Sequence, residues 1–404
     1  MNAQSAIDVG AERVGVTDKA AIPRALYIHL PWCVRKCPYC DFNSHEIGTS
    51  LPEVAYRTAL VRDLDYATEH GWADTSFASV FFGGGTPSLF SAKSISTILS
   101  TVVADDGAEV SLEANPGTAE AQRFIDYVTA GVNRLSIGVQ SFRDDKLKLL
   151  GRIHDADEAS LAVDMALAAG FDSVNIDLMY GLPGDTVSGS ITDLQRAIDC
   201  GVQHISWYQL TIEPGTGYAH KPPNLPSEEV IEEIELKGRL LLSASGFQRY
   251  EVSAYAKSAD YRAAHNLNYW QFGDYLGVGA GGHSKLTLAD RIVRESRILS
   301  PQRYMKLAGG DDALERVDIP RNDQHDQIIF EFLMNGLRLI DGFDLEMFEA
   351  RTGIGRTVLR EALARSFQAG ALEEVGQRLR PTEFGLRYLN DVLATQITAV
   401  LSGT

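Results

Sequence analysis

Short apolar runs alternate along the chain with segments of helical spacing. The runs Ala25–Leu30, Ala78–Phe82, Glu109–Glu113, Arg134–Gln140, Ser173–Leu178 and His204–Ile212 are rich in Val, Ile, Leu and Phe. They are too short for helices and predict strands. Helical patterns fill the gaps: Glu53–His70, Ala92–Ala104, Ala119–Ala130, Asp144–Gly151, Ala156–Ala169 and Ser188–Cys200. Strands of this apolarity between helices predict parallel βα units with both sheet faces covered. Six such units fall short of a closed eight-stranded barrel. The expected fold is therefore α/β, an incomplete (β/α)6 TIM-like barrel.

Beyond Ile212 the pattern changes. Pro214–Pro226 is a Pro/Gly-rich loop, Glu228–Ser245 an amphipathic helix and Tyr250–Tyr255 a strand. Helices are expected over Gln327–Leu337, Leu345–Arg351 and Thr357–Ala369. A hairpin (Leu372–Glu374 with Arg378–Arg380) and a final helix, Pro381–Val400, follow. This predicts four parts: a mobile arm over 1–22, the barrel over 23–245, a small linking mixed α/β segment over 246–320, and a C-terminal helical, winged-helix-like domain over 321–404.

Composition narrows the function classes. The 404 residues carry 37 Lys plus Arg against 54 Asp plus Glu, a net charge of −17. Such a chain is a poor match for a polyphosphate, so nucleic acid is not an expected partner. No apolar run approaches the roughly 18 residues of a membrane span. The N-terminus lacks the pattern of a signal peptide. The chain reads as cytoplasmic.

The cysteines carry the chemistry. Of four, Cys33, Cys37 and Cys40 form C-x3-C-x2-C at the end of the first strand, and Cys200 stands apart as a packing residue. Three thiolates on one loop can hold three corners of a [4Fe–4S] cluster, leaving one iron without a protein ligand. The competing reading is a zinc site closed by His29 or His45. Other unusual residues also fall at carboxyl ends of strands, where parallel α/β folds build their sites. These are Gly83-Gly84-Gly85-Thr86-Pro87, Glu113, Gln140 and Asp177. Glycines there let the backbone approach a ligand and donate N–H groups.

The cysteine motif resembles that of the radical S-adenosylmethionine (SAM) superfamily. From Tyr27 to Trp270 the chain resembles the oxygen-independent coproporphyrinogen oxidase-like family, and within it the branch of radical SAM haem chaperones. The resemblance implies a [4Fe–4S] cluster on Cys33, Cys37 and Cys40. It implies SAM contacts from Tyr27, Tyr39, Gly84, Gly85, Thr86, Glu113, Gln140, Arg152 and Asp177, with Arg152 pairing the SAM carboxylate. Two departures favour the chaperone branch. The oxidases carry a fourth cysteine where this chain has Phe42, and they have a longer N-terminal extension. His265-Asn266-Leu267-Asn268-Tyr269-Trp270 matches the HNxxYW motif of the haem-binding branch. His265 is then a candidate ligand to haem iron, and Tyr269 and Trp270 flat surfaces for the macrocycle. The competing reading of His265 is a histidine packed among aromatics; His283 is a weaker candidate. Client haemoproteins, among them membrane proteins of the respiratory chain, peripheral membrane contact and a homodimer follow from the resemblance alone. An active coproporphyrinogen oxidase and a zinc-stabilised binding module are the alternatives.

Overall fold

A computed structural model describes residues 22–73, 75–118, 121–321 and 324–394. The arm expected over 1–22 therefore lies outside the described residues except for Ile22, which is buried.

The βα alternation is present. In chain order the elements are β1 (Arg24–Leu30), α1 (Glu53–Glu69), β2 (Phe77–Gly84), α2 (Ala92–Leu99), β3 (Ala104–Ala114), α3 (Ala121–Thr129), β4 (Arg134–Gln140), α4 (Asp144–Leu149), α5 (Ala156–Ala169), β5 (Ser173–Tyr180), α6 (Val187–Asp199), β6 (His204–Gln209) and α7 (Glu228–Ala244). Strands β1 to β6 pair in sequence order, all parallel. The period of the strand sorts the side chains. On β2, Val80 and Phe82 pack outward into the helix-covered core, while Ser79 turns to the face where His265 lies. The barrel is incomplete: its strand order never returns to β1.

The remaining strands extend this sheet at both edges. They are β7 (Gln248–Arg249), β8 (Ala254–Ala256), β9 (Asp274–Val278), β10 (His283–Thr287), β11 (Arg291–Arg297) and β12 (Leu314–Pro320), with α8 (Ala264–Trp270) between β8 and β9 and α9 (Pro301–Leu307) between β11 and β12. β8 and β7 continue antiparallel from β6. β9 joins β1 in parallel, and β10, β11 and β12 follow antiparallel, giving twelve strands. Residues 246–320 thus belong to the barrel's own sheet, because β9 takes up the open edge of β1.

The C-terminal part comprises α10 (His325–Gly336), β13 (Phe343–Asp344), α11 (Leu345–Thr352), α12 (Arg356–Ala362), α13 (Ala364–Gln368), β14 (Leu372–Val375), β15 (Arg378–Pro381) and α14 (Glu383–Arg387). The helices and the three-stranded sheet share an aromatic core of Phe332, Phe343 and Phe348, which also takes in Phe272 and Ile292 from the barrel side. The arrangement is winged-helix-like.

Several boundaries differ from the sequence pattern. The helix expected over Ala92–Ala104 stops at Leu99, because the carbonyl of Val103 accepts from the Phe77 N–H and draws the chain into β3. The strand expected over Tyr250–Tyr255 is interrupted where Glu251 accepts from the Ser253 N–H. The Thr357–Ala369 helix is two pieces that meet at the fully buried Leu363. Pro381 closes a strand; the last helix starts after it, with Thr382 accepting from the Gly385 N–H. Residues 395–400 of that expected helix lie outside the described residues.

Candidate active site at the carboxyl ends of the strands

The first βα connection is the cysteine loop. Two short strands, Trp32–Cys33 and His45–Glu46, close it at its base. Gly85 donates its N–H to Leu30 O and Thr86 to Trp32 O, at 2.9 and 2.7 Å, so the glycine loop after β2 is zipped to the cysteine loop. Glycine is required there. A Cβ on Gly85 would lie 2.5 Å from Trp32 O, and Gly84 has φ +112° and would meet the His29 ring at 2.4 Å. The N–H of Gly84 goes to Glu113 Oε2 at 3.1 Å. The amides of Gly84, Gly85 and Thr86 are therefore spent inside the protein. The expectation that they donate to a ligand is corrected: the sheet and Glu113 claim them first.

A cavity of about 290 Å3 opens between these loops. Cys33, Cys37, Cys40, Tyr39, Gly84, Gly85, Thr86, Glu113, Gln140, Arg152 and Asp177 all border it. One site thus gathers, from five successive βα units, every predicted cluster ligand and every predicted SAM contact but Tyr27. Tyr27 instead hydrogen-bonds His29 Nδ1 at 3.0 Å and borders an adjoining groove.

Burial shapes the electrostatics. It raises the Cys33 thiol, against which the Thr86 hydroxyl works, and it raises Cys40, against which Ser44 works. Glu113 is pushed up to about 8 by burial and then by Asp177, and Asp177 is itself raised by burial. Both carboxyls border the cavity and burial disfavours their charged forms, so they suit a cation or hydroxyl groups as partners. Arg152 approaches Cys37 Sγ through Nη1 at 3.6 Å, and its Nη2 donates to Asn115 Oδ1 at 2.5 Å and Gly138 O at 2.6 Å. Its fork is engaged by the protein; its buried Nε alone lacks a partner. Gln140 has φ +69° at a break in the β4–β5 register, and its Oε1 accepts from Tyr208 at 2.7 Å. Backbone strain of roughly 1–3 kcal/mol held at a cavity wall is characteristic of functional sites.

Tyr208 and Asn115 also line the cavity and were not singled out from sequence. Tyr208 carried a signal, because it falls in register with His204 and Ser206 on β6. Asn115 joins Thr86 Oγ1, at 2.8 Å, to Arg152.

The zinc reading finds no support. Both His29 ring nitrogens are engaged, with Tyr27 and with Asn43 O, and His45 hydrogen-bonds Asn43. Neither imidazole borders the cysteine cavity.

The HNxxYW residues lie elsewhere. Glu109 of β3 accepts the Ala264 and His265 N–H groups and so caps α8, at 3.0 and 3.1 Å. His265 sits against Ser79, about 16 Å along β2 from Gly84 at 3.3 Å per residue. It is 1% exposed, with Nδ1 on Ser79 Oγ at 3.0 Å and Nε2 on Tyr269 OH at 3.2 Å. Desolvation lowers it to about 3 and keeps it neutral. Trp270 lies beneath Arg338, whose guanidinium is 4.5 Å from the ring centroid. In this arrangement only Tyr269 of the three reaches the groove beside Tyr27.

Comparison with known proteins agrees with this layout. The radical SAM superfamily model matches residues 27–192, and the HemN C-terminal domain model matches residues 323–388. Heme chaperone HemW of Haemophilus influenzae is 44% identical over 385 residues, covering 93% of this chain and 98% of that protein. The chain belongs to the HemW family. HemW of Escherichia coli K12 is 45% identical, covering 92% of this chain and 97% of its own length. A mitochondrial radical SAM domain-containing protein of Bos taurus is 39% identical over 78% of this chain and 73% of its own. The solved structure of E. coli coproporphyrinogen III oxidase (HemN) superposes with a TM-score of 0.77 at 22% identity, covering 93% of this chain and 90% of that one, and shares the fold. Membership in the superfamily implies a [4Fe–4S] cluster and SAM. Among the described residues no helix is long and apolar enough to cross a membrane.

Proposed function

We propose that this protein is a haem chaperone built on a radical SAM core, binding haem and passing it to client haemoproteins. The observation that carries the reading is identity of 44–45% over nearly the full length of proteins named heme chaperone. The oxidase alternative has the shared fold behind it, at 22% identity. Phe42, 60% exposed beside Cys40, stands where the oxidases carry their fourth cysteine.

The cavity fits the cofactors. Cys33, Cys37 and Cys40 would hold three irons of the cluster, and no other cysteine or histidine lines the cavity to close the fourth. Bound there, the cluster supplies one-electron reducing power to SAM held at its open iron. The chain's own groups do the positioning. Arg152 points an N–H at Cys37 Sγ and favours the thiolate. Gly84 and Gly85 clear room for a ligand, and with their amides spent the loop meets it through carbonyl oxygens, which suit an ammonium group. Glu113 and Asp177 take up positive charge or hydroxyls, and Tyr39 offers a flat face. The orphaned Nε of Arg152 is the donor left for a carboxylate.

In its ground arrangement His265 acts on Tyr269; ligation of iron by His265 itself requires α8 to turn outward. The clients, cytoplasmic location, peripheral membrane contact and homodimer belong to the same proposal.

The test is anaerobic reconstitution followed by incubation with coproporphyrinogen III, SAM and a reductant. The proposal expects about four irons per chain and unchanged porphyrinogen. Formation of protoporphyrinogen overturns it in favour of the oxidase, and one zinc without iron overturns both.

A further inference from the structure

Barrels of parallel strands usually fill their interior with branched apolar side chains. Here the interior beneath the cysteine cavity is polar. Parallel register sets Asn175 of β5 beside His204 of β6, and Asp177 beside Ser206. Asp177 borders the cavity. Asn175 and His204 lie below it, 3% and 1% exposed, and do not border it.

These groups form one chain of hydrogen bonds with a single direction. Asn175 Nδ2 donates to Asp177 Oδ1 and to Ser136 Oγ, both at 2.7 Å. The amide oxygen of Asn175 therefore faces His204 Nδ1, at 2.6 Å. That oxygen only accepts, so Nδ1 carries the proton. Burial, and then the charge of Arg134, lowers the proton affinity of His204 and keeps the ring neutral. Nε2 is left as an acceptor, and the Tyr250 hydroxyl donates to it at 2.8 Å. The Tyr250 oxygen accepts in turn from the Ala263 N–H at 3.2 Å. The chain thus runs from Ala263, just before α8, through Tyr250, His204 and Asn175 to Asp177. Two hydroxyls brace it: Ser136 donates to Asp177 Oδ2 at 3.0 Å, and Ser206 to Asn175 Oδ1 at 3.1 Å. Successive links polarise one another in a dry interior. The opposite tautomer of His204 would set two acceptors face to face at Nδ1 and Asn175 Oδ1. Turning the amide to relieve them would bring its oxygen against the Asp177 carboxylate.

We infer that His204 is a positioning residue for Asp177: acting through Asn175, it holds that carboxyl as an acceptor towards the cavity, and Tyr250 fixes the tautomer this requires. The inference rests on the reading of the cavity as the SAM site. An apolar filling of the same shape would serve stability about as well, since replacing both partners of a buried hydrogen bond is nearly neutral. What a polar chain adds is direction: each donor points towards the cavity. A carboxylate held in this way takes a hydroxyl or an ammonium group from the ligand and turns away an acceptor. A ligand donor at Asp177 also competes with Asn175 for the carboxylate, so it loosens the links behind, as far as His204.

The experiment is calorimetric titration of the full cluster-reconstituted chain with SAM, alongside NMR of the same chain carrying nitrogen-labelled histidine. In the wild type the His204 ring should be protonated on Nδ1, and the resonance of that proton should shift when SAM is added. His204→Phe keeps a flat ring but offers Asn175 no donor, and it should weaken SAM binding roughly three- to tenfold, the loss of one net hydrogen bond. His204→Asn, whose amide can place an N–H where Nδ1–H stands, should restore most of that affinity. Tyr250→Phe should lower the affinity by a smaller factor. Cluster absorbance and circular dichroism report folding in each variant. Where His204→Phe does not fold, Tyr250→Phe and the wild-type spectrum decide. Wild-type affinity in the folded His204→Phe and Tyr250→Phe variants overturns the inference and leaves the SAM reading standing. A wild-type ring protonated on Nε2 overturns it as well. Equal losses in His204→Phe and His204→Asn make His204 a packing element and also overturn it. If the wild type binds no SAM, the inference falls together with the reading of the cavity.

Discussion

Gly84→Ala separates a cofactor cradle from an ordinary tight turn. Gly84 has φ +112°, and a Cβ there would lie 2.4 Å from the His29 ring. An L-residue in the left-handed region costs about 1–2 kcal/mol. The His29 ring must also move, at the expense of its bonds to Tyr27 (3.0 Å) and Asn43 O (2.9 Å). Two bonds at a net 0.5–1.5 kcal/mol each add about 1–3 kcal/mol. The sum is roughly 2–5 kcal/mol. Gly170→Ala is the control, because Gly170 also has positive φ, +93°, but a methyl group there would meet nothing within 4 Å. It should cost only the first contribution, about 1–2 kcal/mol. Denaturant unfolding measures both variants. Calorimetric titration with SAM after cluster reconstitution should show affinity down at least tenfold, or about 1.4 kcal/mol, in Gly84→Ala and unchanged in Gly170→Ala. Equal SAM affinities in the two variants would refute the reasoning that the glycine loop cradles the ligand.

Replacing Cys33, Cys37 and Cys40 together by Ala should abolish iron incorporation, read by metal analysis, while the circular dichroism of the barrel stays. In ligand-free protein Glu113 holds its proton up to about pH 8, against an ordinary value near 4.5. The folded chain then binds more protons than the unfolded one between those values, so stability falls as pH rises across that window. Glu113→Gln should flatten this slope in thermal melts at pH 5.5 and 8. Lys285 is buried with Asp274 at 2.8 Å, and Lys285→Met strands that carboxylate at a cost of about 3–5 kcal/mol by urea unfolding.

The cavity was largely legible in the sequence because its residues sit at the punctuation of a regular pattern. The glycine triplet, Glu113 and Gln140 sit at strand ends and Asp177 in the carboxyl half of β5, and parallel strands put their carboxyl ends together. What was hidden depended on contacts between distant segments. Strands β9 to β12 mix charged and apolar positions, since Lys285, Glu295 and Arg297 are buried in ion pairs rather than exposed. Such a run lacks an apolar signature, so the pattern over 246–320 reads as a linking α/β segment and does not disclose that its strands extend the barrel's sheet. Tyr27 followed the family motif but faces the groove, because His29 holds its hydroxyl there. The hexapeptide looked like one unit, yet on a helix residues 265 and 269 share a face while 270 turns away. His265 and Tyr269 therefore meet each other, and Trp270 meets Arg338.

Haem delivery is tested by transfer itself. The cluster-reconstituted protein, loaded with one equivalent of haem, is mixed anaerobically with a purified apo-cytochrome of the respiratory membrane held in lipid nanodiscs. A haem chaperone's Soret band should decay as the acceptor's characteristic spectrum grows, faster than from free haemin sequestered by albumin. Haem that stays on the donor, or that reaches the acceptor no faster than from albumin, would contradict it.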